Sequence, residues 1–165
     1  MDIGAGVGIL HHELLGAGVR TAVHVEAAHA YLDAARAEAS RRGHAERVRF
    51  LDGDFLALAR ELDPADLVTM DRVVCCYRDF EPLVRQSVAK ARRYYAISYP
   101  RDLWYVRGYT MWQNLRRRHG GNPFRTFVHP PERIRTLIHE GGLRLVDRRT
   151  TLVWEVLLGV RVDAA

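Results

Sequence analysis

Gly4, Gly6 and Gly8 alternate in the opening stretch "MDIGAGVGILHHELL", with Asp2 just ahead of them and Ala5 between the first two. A glycine-rich turn after a strand lets backbone N–H groups approach a ligand that a side chain would push away. Such a turn holds a dinucleotide when the spacing is G-x-G-x-x-G/A, because the third small residue lets the next helix pack close beneath the pyrophosphate. Here the third position is Ile9, and the Asp2 carboxylate would repel phosphate. The phosphate-cradling Gly-Lys-Ser/Thr sequence is absent as well. Both phosphate-binding readings therefore fail on chemistry, and a bare tight turn remains as the plain alternative. Further carboxylates stand at the ends of later apolar segments: Glu26, then Asp52 with Asp54, then Asp71.

These positions gain meaning from the elements that must carry them. Residues 1–3 read as the tail of a short apolar strand and "GILHHELLGAG" as a helix ended by glycine. "RTAVHVEA", "RVRFLDGDF", "ADLVTMDRVVCCY" and "YYAISYP" read as strands, separated by the helical stretches "AAHAYLDAARAEASRRG", "LALARELDP" and "FEPLVRQSVAKARR". The fourth strand is too continuously apolar to have one face in water. The rhythm breaks over 101–128, an aromatic- and arginine-rich insertion of one or two helices and a loop. "PPERIRTLIHEGG" restores a helix with Pro131 in its first turn, and "LRLVDRRTT" and "LVWEVLLGVR" close as antiparallel neighbours. Alternating strands and helices predict a parallel α/β sheet, in one domain over 1–165.

Composition narrows the classes. The chain has 165 residues, 48% of them hydrophobic, which suits one domain with a core of its own. No apolar run approaches membrane-spanning length. The formal net charge is +5, carried almost wholly by arginine, since Lys90 is the single lysine; this allows anionic partners without naming one. Cys75 and Cys76 are adjacent and cannot form a disulfide framework, so a reducing cytoplasm is the expected setting and both read as inert small hydrophobes on a strand exit. No metal centre is expected.

Taken in order, "DIGAGVG", Glu26, "DGDF" and "DLVTMDRVV" resemble the motifs of class I S-adenosylmethionine-dependent methyltransferases, a likeness that runs from Asp2 to the neighbourhood of Arg161. The resemblance implies S-adenosylmethionine as cofactor and S-adenosylhomocysteine as product. It implies a Rossmann-like seven-stranded sheet, mostly parallel with one antiparallel edge strand, and helices on both faces. Cofactor contacts are implied from Asp2, Gly4, Ala5, Gly6 and Gly8, from Glu26 and Ala27 at the ribose, from Asp54 and Phe55 at the adenine, and from Asp71 and Arg72. The cofactor is cationic at its sulfonium and amino groups, so a carboxylate beside the loop suits it. Plainer roles stay open: Glu26 as a helix-start carboxylate, Asp52 in place of Asp54, and Asp71 as a cap.

Methyl transfer from a sulfonium is an in-line displacement in which the protein mainly aligns the partners and excludes water. A hydroxyl acceptor also needs a base. His129, just before a helix, and Tyr99 are the candidate catalytic groups, with packing as the competing reading for His129. Tyr77, Arg101, Trp104 and Trp112 are candidate acceptor contacts. The basic run 116–119, interleaved with aromatics, also fits an RNA methyltransferase, or an amphipathic helix with its aromatics inward. Amino-methylating nucleic-acid enzymes carry Asn/Asp-Pro-Pro-Tyr/Phe where this chain has "DRVV", so a small-molecule acceptor is favoured over nucleic acid. "DRVVCCYRDFEPLV", "SYPRDLWYVR" and "FVHPPERI" are similar to a bacterial group related to magnesium-protoporphyrin and quinone-biosynthesis O-methyltransferases. That implies O-methylation of a flat acceptor beneath a lid formed by 101–128. Relatives carry helices ahead of the first motif, so the chain reads as N-terminally truncated. Its uncovered sheet flank would favour a homodimer, and an inactive fold that binds cofactor weakly, or only a protein partner, is the alternative function.

Overall fold

The computed structural model describes residues 1–162; positions 163–165 of the expected domain lie outside the described residues. The strands are β1 (Asp2–Ile3), β2 (Ala22–Glu26), β3 (Val48–Asp52), β4 (Ala65–Asp71), β5 (Ala91–Pro100), β6 (Leu143–Thr150) and β7 (Trp154–Arg161). They form one sheet in the order β3-β2-β1-β4-β5-β7-β6. β1 pairs parallel with both β2 and β4, Asp2 standing opposite His24 and Thr69. The chain's path therefore turns from one half of the sheet to the other at β1 and β4, the place where open α/β sheets bind ligands. β2–β3 and β4–β5 are also parallel, and β7 alone runs against its neighbours, lying between β5 and the edge strand β6.

The helices are α1 (Ile9–Gly16), α2 (His29–Arg41), α3 (Phe55–Leu58), α4 (Glu81–Ala89), α5 (Trp104–His119) and α6 (Pro131–Glu140). Alternation along β2 and β3 shows that both sheet faces are covered. Val25 and Leu51 join the main core with Ile3, Val68 and Ile97, whereas Ala22, Val48 and Phe50 join Leu15 of α1 on the other side. α4 and α6 pack on each other and on β5 and β6. Their buried residues recur at helical spacing: Leu83, Val84, Ser87 and Val88 in α4, and Ile134, Leu137 and Ile138 in α6.

The insertion departs from its amphipathic expectation. In α5 only Val106 is buried, while Trp104 is 85% exposed and Tyr109, Met111, Trp112 and Leu115 are exposed too. Among the described residues, no helix is long and apolar enough to cross a membrane.

Candidate functional site

The residues linking β1 to α1 fold back on the end of β2. Gly4 and Ala5 donate their N–H groups to the Val25 carbonyl at 2.8 and 3.2 Å. Gly4 has φ 63°, and a Cβ built there would stand 2.5 Å from Val73 Cγ2, so the turn after β4 abuts the loop with no room for a side chain. Gly6 has φ 57°, and a Cβ there would meet nothing within 4 Å: its open side is empty space. Glu26 ends β2 beside it. One carboxylate oxygen accepts the Gly6 N–H and the other the Ala28 N–H, both at 2.9 Å, so Glu26 ties the loop to the start of α2. Each oxygen keeps a lone pair for a further donor.

This arrangement opens into a cavity of about 830 Å³, within the range of small-molecule sites. Ile3, the loop from Gly4 to Val7, Glu26, Ala27 and Phe55 line it. Asp71, Arg72, Val73, Cys76 and Tyr77 line it too, and Phe124 reaches it from the insertion. Arg72 is a non-glycine residue at φ 59°, a sparsely populated backbone state. Its N–H donates to Ser98 Oγ at 2.9 Å, and the Ser98 hydroxyl donates in turn to Asp71, so β5 braces this strained exit from β4. The Arg72 guanidinium lies 5.1 Å from the Trp154 ring centroid. Burial, and then the neighbouring Asp54 carboxylate, push the Tyr77 hydroxyl above its ordinary pKa.

A second cleft, of about 670 Å³, opens at the opposite end of the sheet between Met1, Ala22 and Leu67. It is lined by the starts of β2 and β4, not by the carboxyl ends of the strands where open α/β sheets bind ligands.

Several expected site residues lie elsewhere. Asp2 is 3% exposed and faces away from the cavity, because Ile3 beside it faces in. Its carboxylate lies 3.0 Å from His11 Nδ1 and accepts the Thr69 hydroxyl at 2.7 Å, which makes it a buried strut of the loop. Gly8 stands at the start of α1 against the His11 ring. Asp54 caps α3 by accepting the Leu56 N–H at 2.8 Å. Neither reaches the cavity wall. Tyr99 is buried and donates to Glu155 at 2.9 Å; burial foremost, then Glu155, raise its pKa. His129 is buried too, stacked 4.2 Å from Phe80 with Nε2 3.1 Å from the Val74 carbonyl, and burial lowers its pKa. Neither of these catalytic candidates lines the cavity, and both sit in packing. Arg101 bonds the Thr151 carbonyl at 2.9 Å. Trp104 and Trp112 are exposed on α5 and are not among the lining residues.

Cys76, Val73, Tyr31 and Phe124 line the cavity without having been expected to. Cys76 is exposed in a 3-10 turn, Val74–Cys76, and is not the buried strand residue that its apolar surroundings suggested. A thiol five positions beyond a strand-end carboxylate carries no signal of its own in sequence.

Residues 1–95 match the family described as Methyltransferase domain. Among solved structures, the chain is similar to magnesium protoporphyrin IX methyltransferase from Synechocystis PCC 6803 with bound S-adenosylhomocysteine. There the TM-score is 0.76 at 21% identity over 97% of this chain and 72% of that one. It is also similar to an O-methyltransferase family protein from Burkholderia thailandensis (TM-score 0.80, 18% identity, 99% of this chain and 51% of that one). A third is an O-methyltransferase family 2 protein from Planctomyces limnophilus, solved with apigenin (TM-score 0.74, 18% identity, 98% and 49%). No curated protein matches the chain in sequence. At these identities the likeness to solved structures concerns the fold.

Proposed function

The chain belongs to the Methyltransferase domain family, whose cofactor is S-adenosylmethionine, and from that premise we propose that its carboxyl-end cavity holds this cofactor while a methyl group passes to an oxygen of a small-molecule acceptor. The observation that carries this reading is the juxtaposition of the open Gly6 with the Glu26 carboxylate. Gly6 leaves room for a ligand against bare backbone, and Glu26 offers one acceptor position per oxygen to a pair of ribose hydroxyls. Ala27, Phe55 and Tyr77 would bound the adenine, and Asp71 with Arg72 the opposite end.

Bound there, the cofactor supplies a methyl group already activated on a sulfonium. The residues of this chain bind, orient and exclude water. The Ser98–Asp71–Arg72 network holds the β4 exit in one geometry, and Ile3, Val73 and Phe124 give the cavity apolar walls. No histidine is among the lining residues, whose ionisable groups are Glu26, Tyr31, Asp71, Arg72, Cys76 and Tyr77. An acceptor carboxylate is ionised near neutral pH and needs no base, unlike a hydroxyl. The wall therefore favours an acceptor carboxylate, with Arg72 placed to pair with it.

Calorimetric titration with S-adenosylmethionine and S-adenosylhomocysteine tests the reading. Glu26→Ala should weaken both by at least about tenfold, or about 1.4 kcal/mol. A folded wild type that gives no binding heat would sink it. A mass-spectrometric screen should find methyl incorporated into aromatic carboxylates before phenols.

A further inference from the structure

The turn that follows β4 ends in two adjacent thiols set differently. Cys75 is buried, whereas Cys76 is exposed and lines the cavity. Both sulfurs converge on one acceptor, the Arg72 carbonyl oxygen, at 3.3 Å from Cys75 and 3.8 Å from Cys76. The neighbouring Cys75 is the largest influence holding the Cys76 thiol below its ordinary pKa, and Arg117 adds to it against burial and Glu26. Cys76, with burial, pushes Cys75 up. An accessible thiol of lowered pKa with a second thiol beside it is the setting in which cysteine reacts selectively. The turn also abuts the glycine loop, since a Cβ on Gly4 would stand 2.5 Å from Val73 Cγ2.

We propose that Cys76 is a covalent modification site for peroxides and soft electrophiles, and that its modification and cofactor occupancy of the cavity exclude each other. This rests on the reading of that cavity as the cofactor site. With hydrogen peroxide, the Cys76 thiolate forms an S–O bond as the O–O bond breaks. Sulfur gives up two electrons, hydroxide leaves, and a sulfenic acid remains. Condensation with Cys75 would release water and form a disulfide. Consecutive Cα atoms, however, are about 3.8 Å apart, short of the roughly 4.4 Å lower limit for ordinary disulfides. The sulfenic acid is therefore the product to look for. Two equivalents of a small thiol return it to the thiol, leaving as their disulfide with one water. With iodoacetamide, an S–C bond forms and iodide leaves. Either adduct takes up space in the cavity that Gly6 and Glu26 also line.

The experiment treats the full chain with hydrogen peroxide or iodoacetamide and follows each cysteine by peptide mass spectrometry, with and without saturating S-adenosylhomocysteine. Cys76 should react at least about tenfold faster than Cys75, and Cys75→Ser should slow it several-fold at unchanged thermal stability. Bound S-adenosylhomocysteine should protect Cys76 about tenfold, and alkylated protein should lose a comparable factor in affinity. In Cys76→Ser, whatever affinity the variant has should survive treatment. Equal reactivity of the two thiols overturns the proposal, as does undiminished labelling of Cys76 in a chain shown to bind S-adenosylhomocysteine. Titration of the untreated wild type separates the two ideas. Absent binding removes the cofactor reading and with it mutual exclusion, while the thiol site then stands or falls on Cys76 selectivity and its dependence on Cys75.

Discussion

Gly4 and Gly6 hold nearly the same backbone conformation, yet a side chain does different harm at each. Both would carry the left-handed cost of about 1–2 kcal/mol. At Gly4 a methyl would also collide with Val73, whose β-branched side chain has little rotamer freedom to retreat. At Gly6 the methyl would enter open space, the space a ligand would use. Gly4→Ala is therefore predicted to lower both the urea midpoint and S-adenosylhomocysteine affinity. Gly6→Ala should cost only the backbone term in stability while losing at least about tenfold in affinity, or about 1.4 kcal/mol. Equal unfolding curves for the two variants would mean that the β4 exit moves away from the loop. Asp2 belongs to the same comparison. It accepts from Thr69 across the sheet and meets His11 behind the loop, so Asp2→Ala should act on folding first and on affinity through it.

Four elements at the other edge of the sheet are joined through one buried carboxylate. Glu155 of β7 accepts from Tyr99 of β5 at 2.9 Å, Arg135 of α6 at 2.6 Å and Arg148 of β6 at 3.1 Å. Removing one partner of a buried ionic group leaves the rest uncompensated, so Glu155→Ala should cost about 3–5 kcal/mol in chemical denaturation. Tyr99→Phe should cost less, about 1.5–3 kcal/mol for one hydrogen bond to a charged group, and leave S-adenosylhomocysteine binding intact; a large loss of binding would return Tyr99 to the site. This edge also marks where sequence stops being informative. The apolar run of β4, the proline-started α6 and the closing strand pair were legible because each depends on local pattern. The role of Tyr99 was not, since its partner lies 56 residues away, and His129 meets Val74 55 residues away. Residue type proposes chemistry, but long-range burial decides whether the group can perform it. The facing of Asp2 was illegible for a related reason: a two-residue strand offers no alternation from which to read it. Cavity residues on strand ends, Glu26 and Asp71 among them, were legible because sheet topology places every strand end together.

Across the whole molecule, the glycine loop rests on a buried histidine cluster that ties its stability to pH. His11 and His12 of α1, His24 of β2 and His44 after α2 pack with ring centroids 4.4 to 5.3 Å apart. His11 Nε2, His12 Nε2 and both nitrogens of His24 have no partner among the described residues. The charges that face them are Asp2 from β1, Arg36 and Glu38 from α2, Arg42 just after it, and the histidines themselves. Burial first, then the adjacent His11, lowers His12 and His24 from the ordinary 6.5 to about 4. Well above pH 6.5 both rings are neutral whether the chain is folded or not, and these two add no pH dependence. Between 6.5 and about 4 the unfolded chain takes up protons that the folded chain refuses, so stability falls with falling pH. Paired carboxylates such as Glu38, lowered from 4.5 to about 2 by Arg41 and Arg42, lose their contribution in a more acidic window that overlaps only the lower end of this one. The urea midpoint should then be flat near pH 8 and begin to decline in the histidine window, with the carboxylate limb joining it below about pH 4.5. His24→Leu keeps an apolar filling against Phe50 and removes one titrating ring, so it should reduce the slope between pH 6 and 4.5 by roughly one proton at most. His12→Gln should do the same independently. If the limb persisted undiminished in both variants, the acid sensitivity would belong to the surface carboxylates, and the cluster beneath the loop would be packing alone.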